Sequence, residues 1–150
     1  MTDAFRHRTR LEVRFRDIDA FEHVNNASFF TYIEEARIKY ILEVLKIAEV
    51  ERLPLILAAV QIDFRKPILF GQVVEIGTRV DWIGRTSFSM SHRLTATPDD
   101  RLVAEAATVL VAYDYAAAGA MPVPDAWRSA FGAWEGRDLD RQAQAAVAGA

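Results

Sequence analysis

The chain contains no cysteine, no long apolar run and none of the glycine-rich loops that bind phosphate groups. Without cysteine it can form no disulfide, no thiolate metal site and no cysteine nucleophile. No uninterrupted apolar stretch approaches the roughly 20 residues that span a bilayer. Neither a Gly-x-Gly-x-x-Gly motif nor a P-loop is present, so a phosphate-bearing ligand would have to be held by side chains.

Metal and nucleic-acid binding are not indicated either. His7, His23 and His92 lie far apart in the sequence and do not show the spacing of metal ligands. The formal net charge is −3 with both signs mixed, which argues against a general nucleic-acid binder. The first ten residues are polar and basic with no apolar segment, so we expect no secretory signal. We therefore expect a cytoplasmic protein without cofactor, metal, membrane or nucleic-acid partner.

What the chain does have is enough apolar material for one compact domain. Of its 150 residues, 51% are hydrophobic and 11% are aromatic. This length is usual for a single domain and leaves little room for a second one. We expect residues 1–135 to form that domain. Residues 136–150, whose end is rich in alanine and glutamine, are expected to form a frayed tail.

The hydrophobic pattern changes period twice along the chain. Residues 8–16 alternate apolar and charged side chains, as a half-buried strand does. Residues 27–45 show helical spacing with one broad apolar face, and Asn26 is a suitable N-cap. On the solvent side of this helix, Glu34 with Arg37 and Glu35 with Lys39 are spaced for ion pairs. From about residue 58 to 114 the period returns to two, with four strands and short connections. Short connections require antiparallel neighbours, so we predict an α+β fold of one long helix and about five strands.

The segment most informative about chemistry is residues 17–26, which leads directly into the long helix. It contains Asp17, Asp19, Glu22 and His23 just before the helix begins. A helix N-terminus presents unpaired backbone N–H groups and a positive partial charge. Such an end can stabilise an oxygen that becomes anionic during a reaction. A carboxylate beside it suits acyl transfer, although acidic residues and asparagine before a helix are also common caps.

This segment resembles the hotdog-fold thioesterases of the 4-hydroxybenzoyl-CoA thioesterase group. The matching stretches follow in the order of that family and span about residues 8–115: they are residues 15–19, 23–26, 29–30, 34–37, 64–67 with Gly71, and 83–88. The resemblance implies a hotdog fold, in which a curved antiparallel sheet wraps a long central helix. It also implies an acyl-CoA substrate and homodimers that often pair into tetramers, with sites between subunits. The apolar stretch 109–113 is consistent with a central strand or a subunit interface.

The resemblance assigns roles to individual residues. It makes Asp19 the catalytic carboxylate and the amide near Asn26 the group that polarises the thioester carbonyl. His23 would position water or Asp19, or pack under the loop. Because Arg and Lys recognise phosphate oxygens, Arg65, Lys66 and Arg85 are candidates for the CoA phosphates, although charged strand ends are also ordinary surface. Phe29 is a candidate for the acyl group, on a helix face most of which must be core. Related acyl-carrier-protein thioesterases have an asparagine where this chain has Phe21, and their later active-site glutamate is absent here.

Several alternatives stay open on the sequence. Asp19 could attack the thioester directly or activate water. Another hotdog subgroup uses a glutamate of the long helix, but with Asp19 present the better interpretation of Glu34 and Glu35 is ion pairing. Asp17 is expected to hold the loop. The predicted function is hydrolysis of a fatty or aromatic acyl-CoA; the alternatives are an acyl-carrier-protein thioesterase and a non-catalytic acyl-binding protein.

Overall fold

The computed structural model describes residues 5–49 and 53–141. In chain order the elements are β1 (His7–Glu12), a 3-10 helix (Phe15–Asp17), α1 (Asn26–Leu45), β2 (Leu55–Phe64), β3 (Val73–Ile83), β4 (Ser87–Ala96), β5 (Arg101–Asp114), β6 (Gly119–Ala120) and α2 (Asp125–Glu135). The strands form one sheet in the order β1-β3-β4-β5-β2, with the short β6 beside β5, and every pairing is antiparallel. The predicted α+β architecture is confirmed.

Two boundaries differ from the sequence prediction at the site end of the molecule. β1 ends at Glu12, because residues 15–17 turn into a 3-10 helix in which the backbone N–H of Arg14 donates to the Asp17 carboxylate at 3.0 Å. The N-cap of α1 is Asn25 and not Asn26, so that part of the prediction is wrong. The Asn25 side chain accepts a hydrogen bond from the backbone N–H of Ala27 at 2.8 Å, and Asn26 is the first helical residue.

The core between α1 and the sheet consists of two apolar clusters. The first cluster surrounds the N-terminal half of α1 and includes Phe29, Ile33, Ala36, Val74, Ile76 and Leu94. The second cluster surrounds the C-terminal half and includes Tyr40, Ile41, Phe88, Met90, Leu110 and Phe131. Because α1 buries a different set of strand residues with each half, its full length is anchored to the sheet.

A buried polar layer separates the two clusters. It consists of Thr78 on β3, His92 on β4, Thr108 on β5 and Arg37 on α1. The two imidazole nitrogens of His92 lie 3.3 Å from the Thr78 hydroxyl and 3.2 Å from the Thr108 hydroxyl. Burial, together with the nearby Arg37 guanidinium, lowers the pKa of His92 to about 3. His92 is therefore a neutral packing residue of the core.

Arg37 corrects another expectation. The sequence placed it on the solvent side of α1 in a surface pair with Glu34, but its side chain is only 7% exposed. Its Nη2 lies 3.7 Å from the Glu34 carboxylate, which is longer than a hydrogen bond, and burial lowers the pKa of the guanidinium. The physical reason is that the helical face of residue 37 turns toward the polar layer. Only the Glu34 side chain, 67% exposed, stays in solvent.

The strand β2 forms an unpaired edge of the sheet. It pairs with β5 on one side only, and most of its residues are exposed. Ile56, Leu57 and Phe64 are 36%, 42% and 44% exposed. A long edge strand with exposed apolar side chains is a template for pairing with another strand. β5, in contrast, is central between β4 and β2, which is one of the two positions that its apolar stretch 109–113 indicated.

The C-terminal part of the described chain packs on the second cluster. Trp127 and Phe131 of α2 are buried, and Leu139 beyond α2 is also buried. The backbone N–H of Ile83 donates to the Leu139 carbonyl at 2.7 Å, so residues near 139 lie against the end of β3. Most of the predicted tail, residues 142–150, lies outside the described residues. No described helix is both long enough and apolar enough to cross a membrane.

Candidate active site

The loop between the 3-10 helix and α1 is fixed by backbone hydrogen bonds. Asp19 N–H donates to the His23 carbonyl at 3.2 Å, which closes the loop on itself. Val24 N–H donates to the Ile68 carbonyl at 2.8 Å, which ties the loop to the β2–β3 connection. Glu22 takes a left-handed conformation with φ 67°, which allows the chain to reverse there. The loop thus arrives at α1 in a defined conformation.

Asp17 holds this loop against α1. Its carboxylate accepts a hydrogen bond from the Tyr32 hydroxyl at 2.6 Å, and its carbonyl accepts one from Asn25 N–H at 2.8 Å. Burial, and then the Asp17 carboxylate, raise the pKa of Tyr32, so this phenol remains a donor. With Arg14 N–H as a further donor to Asp17, these contacts are those of a structural carboxylate.

Asp19 has a different environment, half-buried at the start of α1. One carboxylate oxygen accepts from the backbone N–H of Phe21 at 2.9 Å. The other accepts from the side-chain Nδ2 of Asn25 at 3.1 Å. Two donors therefore fix the orientation of the carboxylate, while each oxygen keeps a second lone pair for a water molecule or a ligand.

In the first turn of α1, the backbone N–H of Asn26 is open, one residue after the Asn25 that holds Asp19. Ala27 N–H donates to the Asn25 side chain at 2.8 Å, and Ser28 N–H donates to the Asn25 carbonyl at 2.9 Å. Among the described residues, none accepts a hydrogen bond from the backbone N–H of Asn26. This amide points out of the positive end of a 20-residue helix and immediately follows the residue that holds Asp19.

His23 lies in the same loop but points elsewhere. Its ring stacks on the Phe21 ring with centroids 6.2 Å apart and planes inclined by 19°. Phe21 itself is 77% exposed, so the pair forms an aromatic surface beside the Asp19 loop. Of the three residues predicted to be catalytic, the loop places Asp19 and the Asn26 amide at the helix end, with His23 at its rim.

The candidate substrate-binding residues do not form one cluster within a single chain. Arg65 and Lys66 follow β2 directly, next to the β2–β3 connection that contacts the Asp19 loop, and Arg65 pairs with Glu105 at 3.2 Å. Arg85 lies beyond the far end of β3, roughly 33 Å along that 11-residue strand. Phe29 is 2% exposed and packs against Phe64 with ring centroids 5.0 Å apart, so it is a core residue.

Two features near the loop escaped the sequence analysis. One is the hydrogen bond from Asn25 to Asp19. The only sign of it in the sequence is an amide side chain one residue before the helix begins. The other is a pair of exposed aromatic residues, Phe15 and Phe70, that are 80% and 60% exposed and meet edge to face at 5.9 Å. They lie on the two connections that meet at the site, so apolar surface borders Asp19 on this side.

The geometry at the start of α1 suits acyl transfer. Within residues 5–49 and 53–141 no group of three or more histidine, aspartate or glutamate side chains is arranged to hold a metal ion. A carboxylate and an open backbone N–H, adjacent at a helix N-terminus, provide a base or nucleophile and a donor for a developing oxyanion.

Comparison with known proteins agrees with this chemistry. The chain matches the thioesterase-like superfamily over residues 13–131. It is 24% identical to the long-chain acyl-CoA thioesterase FadM of Escherichia coli over 108 residues, which cover 71% of this chain and 82% of that protein.

Two solved thioesterase structures are similar to this chain in both fold and sequence. A Thermus thermophilus thioesterase, crystallised with coenzyme A and Zn, has a TM-score of 0.83 and 37% identity over 92% of this chain and 100% of its own. The PA2801 protein of Pseudomonas aeruginosa, a putative thioesterase, has a TM-score of 0.76 and 29% identity over 84% of this chain and 98% of its own. These likenesses confirm the predicted hotdog fold. The chain belongs to the thioesterase-like superfamily.

Proposed function

We propose that this thioesterase hydrolyses the thioester of an acyl-CoA to the free acid and coenzyme A, with Asp19 as its catalytic carboxylate. The observation that carries the proposal is the position of Asp19, held by Asn25 beside the open N–H of Asn26. The thioester carbonyl oxygen would accept a hydrogen bond from this N–H. The carbonyl carbon would then lie within reach of Asp19 or of a water molecule bound to it.

Two routes are compatible with this arrangement. In the first, an Asp19 oxygen attacks the carbonyl carbon, the thiolate of coenzyme A leaves, and water hydrolyses the mixed anhydride. In the second, Asp19 accepts a proton from a water molecule that attacks the same carbon. Both routes place negative charge on the carbonyl oxygen, where the Asn26 N–H and the helix dipole stabilise it. Because a thiolate is a good leaving group, neither route needs a dedicated general acid.

Arg65 and Lys66 are the proposed contacts for the phosphates of coenzyme A. Both are exposed, and they lie next to the connection that supports the Asp19 loop. Arg85 is too far along β3 to contribute to the site of its own chain, so its proposed role requires a second subunit. Phe29 supports the acyl site from beneath, while the exposed Phe30 offers contact surface on the same helix.

The proposed assembly is a homodimer that pairs two β2 edges into one sheet, with further pairing of dimers into tetramers. The support is the exposed, unpaired and apolar edge of β2. Leu57→Lys should separate the subunits, because two copies of the charge would meet near the same edge. Analytical ultracentrifugation measures the result, and an unchanged assembly in this variant would contradict pairing through β2.

The decisive experiment is thiol release from short, medium, long-chain and aromatic acyl-CoAs by the wild type and by Asp19→Asn. We expect a loss of at least about 100-fold in kcat, as for other groups that act directly on the transition state. Asp100→Asn is the matched control, since Asp100 is exposed and has a φ of 54° that asparagine tolerates. Full activity in Asp19→Asn would refute the assignment and direct attention to Glu34 and Glu35.

A further inference from the structure

The buried guanidinium of Arg37 lacks a hydrogen-bond acceptor among the described residues of its own chain. Its side chain is 7% exposed, and its Nε is buried without a partner. Its one ion-pair neighbour there, Glu34, lies 3.7 Å from Nη2, which is longer than a hydrogen bond. Every N–H of a guanidinium is a donor, and a buried ionic group without acceptors is strongly destabilising. Arg37 therefore needs an acceptor from another molecule.

A cavity between α1 and β2 gives another molecule access to this guanidinium. Its volume is about 120 Å³. The residues that line it are Phe30, Thr31, Ile33, Glu34 and Arg37 on α1 and Leu57 and Val60 on β2. Phe30, Glu34 and Leu57 are exposed, so the cavity opens at the surface. One water molecule occupies roughly 30 Å³ of liquid, so the space is large enough for a carboxylate group and part of its side chain.

The cavity opens at the edge that we propose as the subunit interface. Residues 56–59 of β2 are four consecutive exposed residues, and β2 pairs only with β5 among the described strands. Phe30, Glu34 and Arg37 recur at i, i+4 and i+7, so they form one stripe of α1 beside this edge. A strand that pairs with β2 would lie about 4.8 Å away. The partner subunit of the proposed dimer would therefore cover the cavity.

The symmetry of such a dimer limits the choice of acceptor. Two copies of one edge pair about a two-fold axis, so the same surface patch meets itself. An acceptor for Arg37 then comes from the patch that surrounds the cavity of the partner subunit. Among the seven residues that line the cavity, Glu34 alone has a carboxylate, the acceptor that a guanidinium binds best. Its side chain is 67% exposed in the single chain, so its carboxylate is accessible to a second one.

From these observations we infer that Arg37 of each subunit pairs with Glu34 of the partner subunit, which gives two reciprocal ion pairs across the β2 interface. This inference rests on the proposed pairing of two β2 edges. Each pair supplies an acceptor to a buried cation and a cation to a carboxylate that the interface covers. Charged pairs at an interface determine its register and its choice of partner. The stripe of α1 thus directs self-association, in addition to the exposed strand edge.

Two mixtures of substituted chains distinguish a pair between subunits from a pair within one chain. The first combines Arg37→Met chains with Glu34→Gln chains. The second combines wild-type chains with chains that carry both substitutions. The heterodimer of either mixture contains each substitution once. Only the first heterodimer keeps an intact pair between subunits, and only the second keeps an intact pair within a chain.

The expected result is selective assembly in opposite directions. At about tenfold in association per ion pair, heterodimers should make up about nine-tenths of the dimers in the first mixture and about one-tenth in the second, against one half for random mixing. Native mass spectrometry measures these fractions when one of the two chains is labelled with heavy nitrogen. Lys39→Met and Glu35→Gln, arranged in the same two ways, are the matched control. Lys39 and Glu35 pair at 2.9 Å within one helix, so both control mixtures should be random.

Random mixing in either Arg37–Glu34 mixture overturns the inference, since Arg37 would then be satisfied by its own Glu34 or by water. If Arg37→Met fails to fold in urea unfolding, Glu34→Arg provides a second arm, because it changes only an exposed side chain. It brings a second cation to Arg37 and should weaken association at least about 100-fold, whereas Glu35→Arg should not. Association of Glu34→Arg as tight as in the wild type also overturns the inference. A chain that stays monomeric refutes the proposed assembly, while thiol release tests hydrolysis separately.

Discussion

Asn25 uses both ends of its side-chain amide, and this dual use can be dissected by substitution. Its Oδ1 accepts from Ala27 N–H and caps α1, while its Nδ2 donates to Asp19 at 3.1 Å. Aspartate at this position keeps the cap, since aspartate and asparagine are similarly good N-caps. It cannot donate to Asp19, however, and it brings a second carboxylate close to the first. Asn25→Asp therefore separates the positioning of Asp19 from the stability of the helix.

The expected magnitudes follow from these contacts. Loss of a hydrogen bond to a charged group costs about 1.5–3 kcal/mol, so we expect kcat/KM of Asn25→Asp to fall by about 10- to 100-fold. Two carboxylates at this distance cannot both ionise freely, and the pKa of the pair rises. The acid limb of the pH–rate profile should therefore move to higher pH. Asn25→Ala instead removes the cap, which costs about 1 kcal/mol and lowers Tm by about 2–4 °C.

The assay is thiol release with a substrate that the wild type cleaves, between about pH 5 and pH 9, together with thermal unfolding of each variant. Asn26→Ala is the matched control, because it removes a neighbouring amide side chain and leaves the Asn26 backbone N–H in place. It should behave as the wild type. A wild-type rate and an unshifted acid limb in Asn25→Asp, with Asp19→Asn inactive, would refute the idea that Asn25 orients the carboxylate.

Three further predictions concern the frame around the site. The pKa of His92 is lowered to about 3 in the folded state, from about 6.5 when unfolded, so the unfolded chain binds protons more readily. The contribution of His92 to stability should therefore be complete above about pH 6.5 and fall toward pH 3. Urea unfolding of His92→Gln should show a flatter pH dependence than that of the wild type. Tyr40→Phe removes a 2.6 Å hydrogen bond to Glu135 and should destabilise the fold by about 1.5–3 kcal/mol in chemical unfolding, whereas an unchanged midpoint would mean that water replaces the phenol. Lys46, at the end of α1, has a left-handed backbone conformation with φ 55°, which glycine adopts without strain, so Lys46→Gly should raise the free energy of unfolding by about 0.5–1 kcal/mol. A decrease would show that the lysine side chain stabilises the fold by more than its backbone strain costs.

The elements with clear periodicity could be predicted from the sequence. The last of the four strands expected between about residues 58 and 114 is observed as Arg101–Asp114 and ends at the expected residue, and the long helix differs by one residue at its start. Both have many consecutive residues whose apolar positions repeat with one period, so local pattern and tertiary packing agree. The Asp19 loop was found because carboxylates before a helix have a direct chemical meaning at its N-terminus.

The features that escaped prediction depend on contacts between distant segments. Asn25 and Asn26 have the same side chain and are equally good N-caps by residue type. The hydrogen bond from Asn25 N–H to the Asp17 carbonyl fixes Asn25 outside the helix, and Asn25 is therefore the cap. Arg37 matched a surface ion pair by spacing, yet tertiary packing turned it into the polar layer. Arg85 is separated from Arg65 by the length of β3, which no residue-type argument reveals.

The division of the core by the Thr78–His92–Thr108 layer separates two engineering problems. The apolar cluster under the first half of α1 carries the Asp19 loop, whereas the cluster around Phe88 and Phe131 carries no proposed catalytic residue and, of the proposed substrate contacts, only Arg85. Side chains in the second compartment can be repacked for thermostability while the end that carries the Asp19 loop keeps its geometry. The protein thus has a half in which, Arg85 apart, sequence can drift under selection for folding alone, and a half in which we expect drift to change turnover as well.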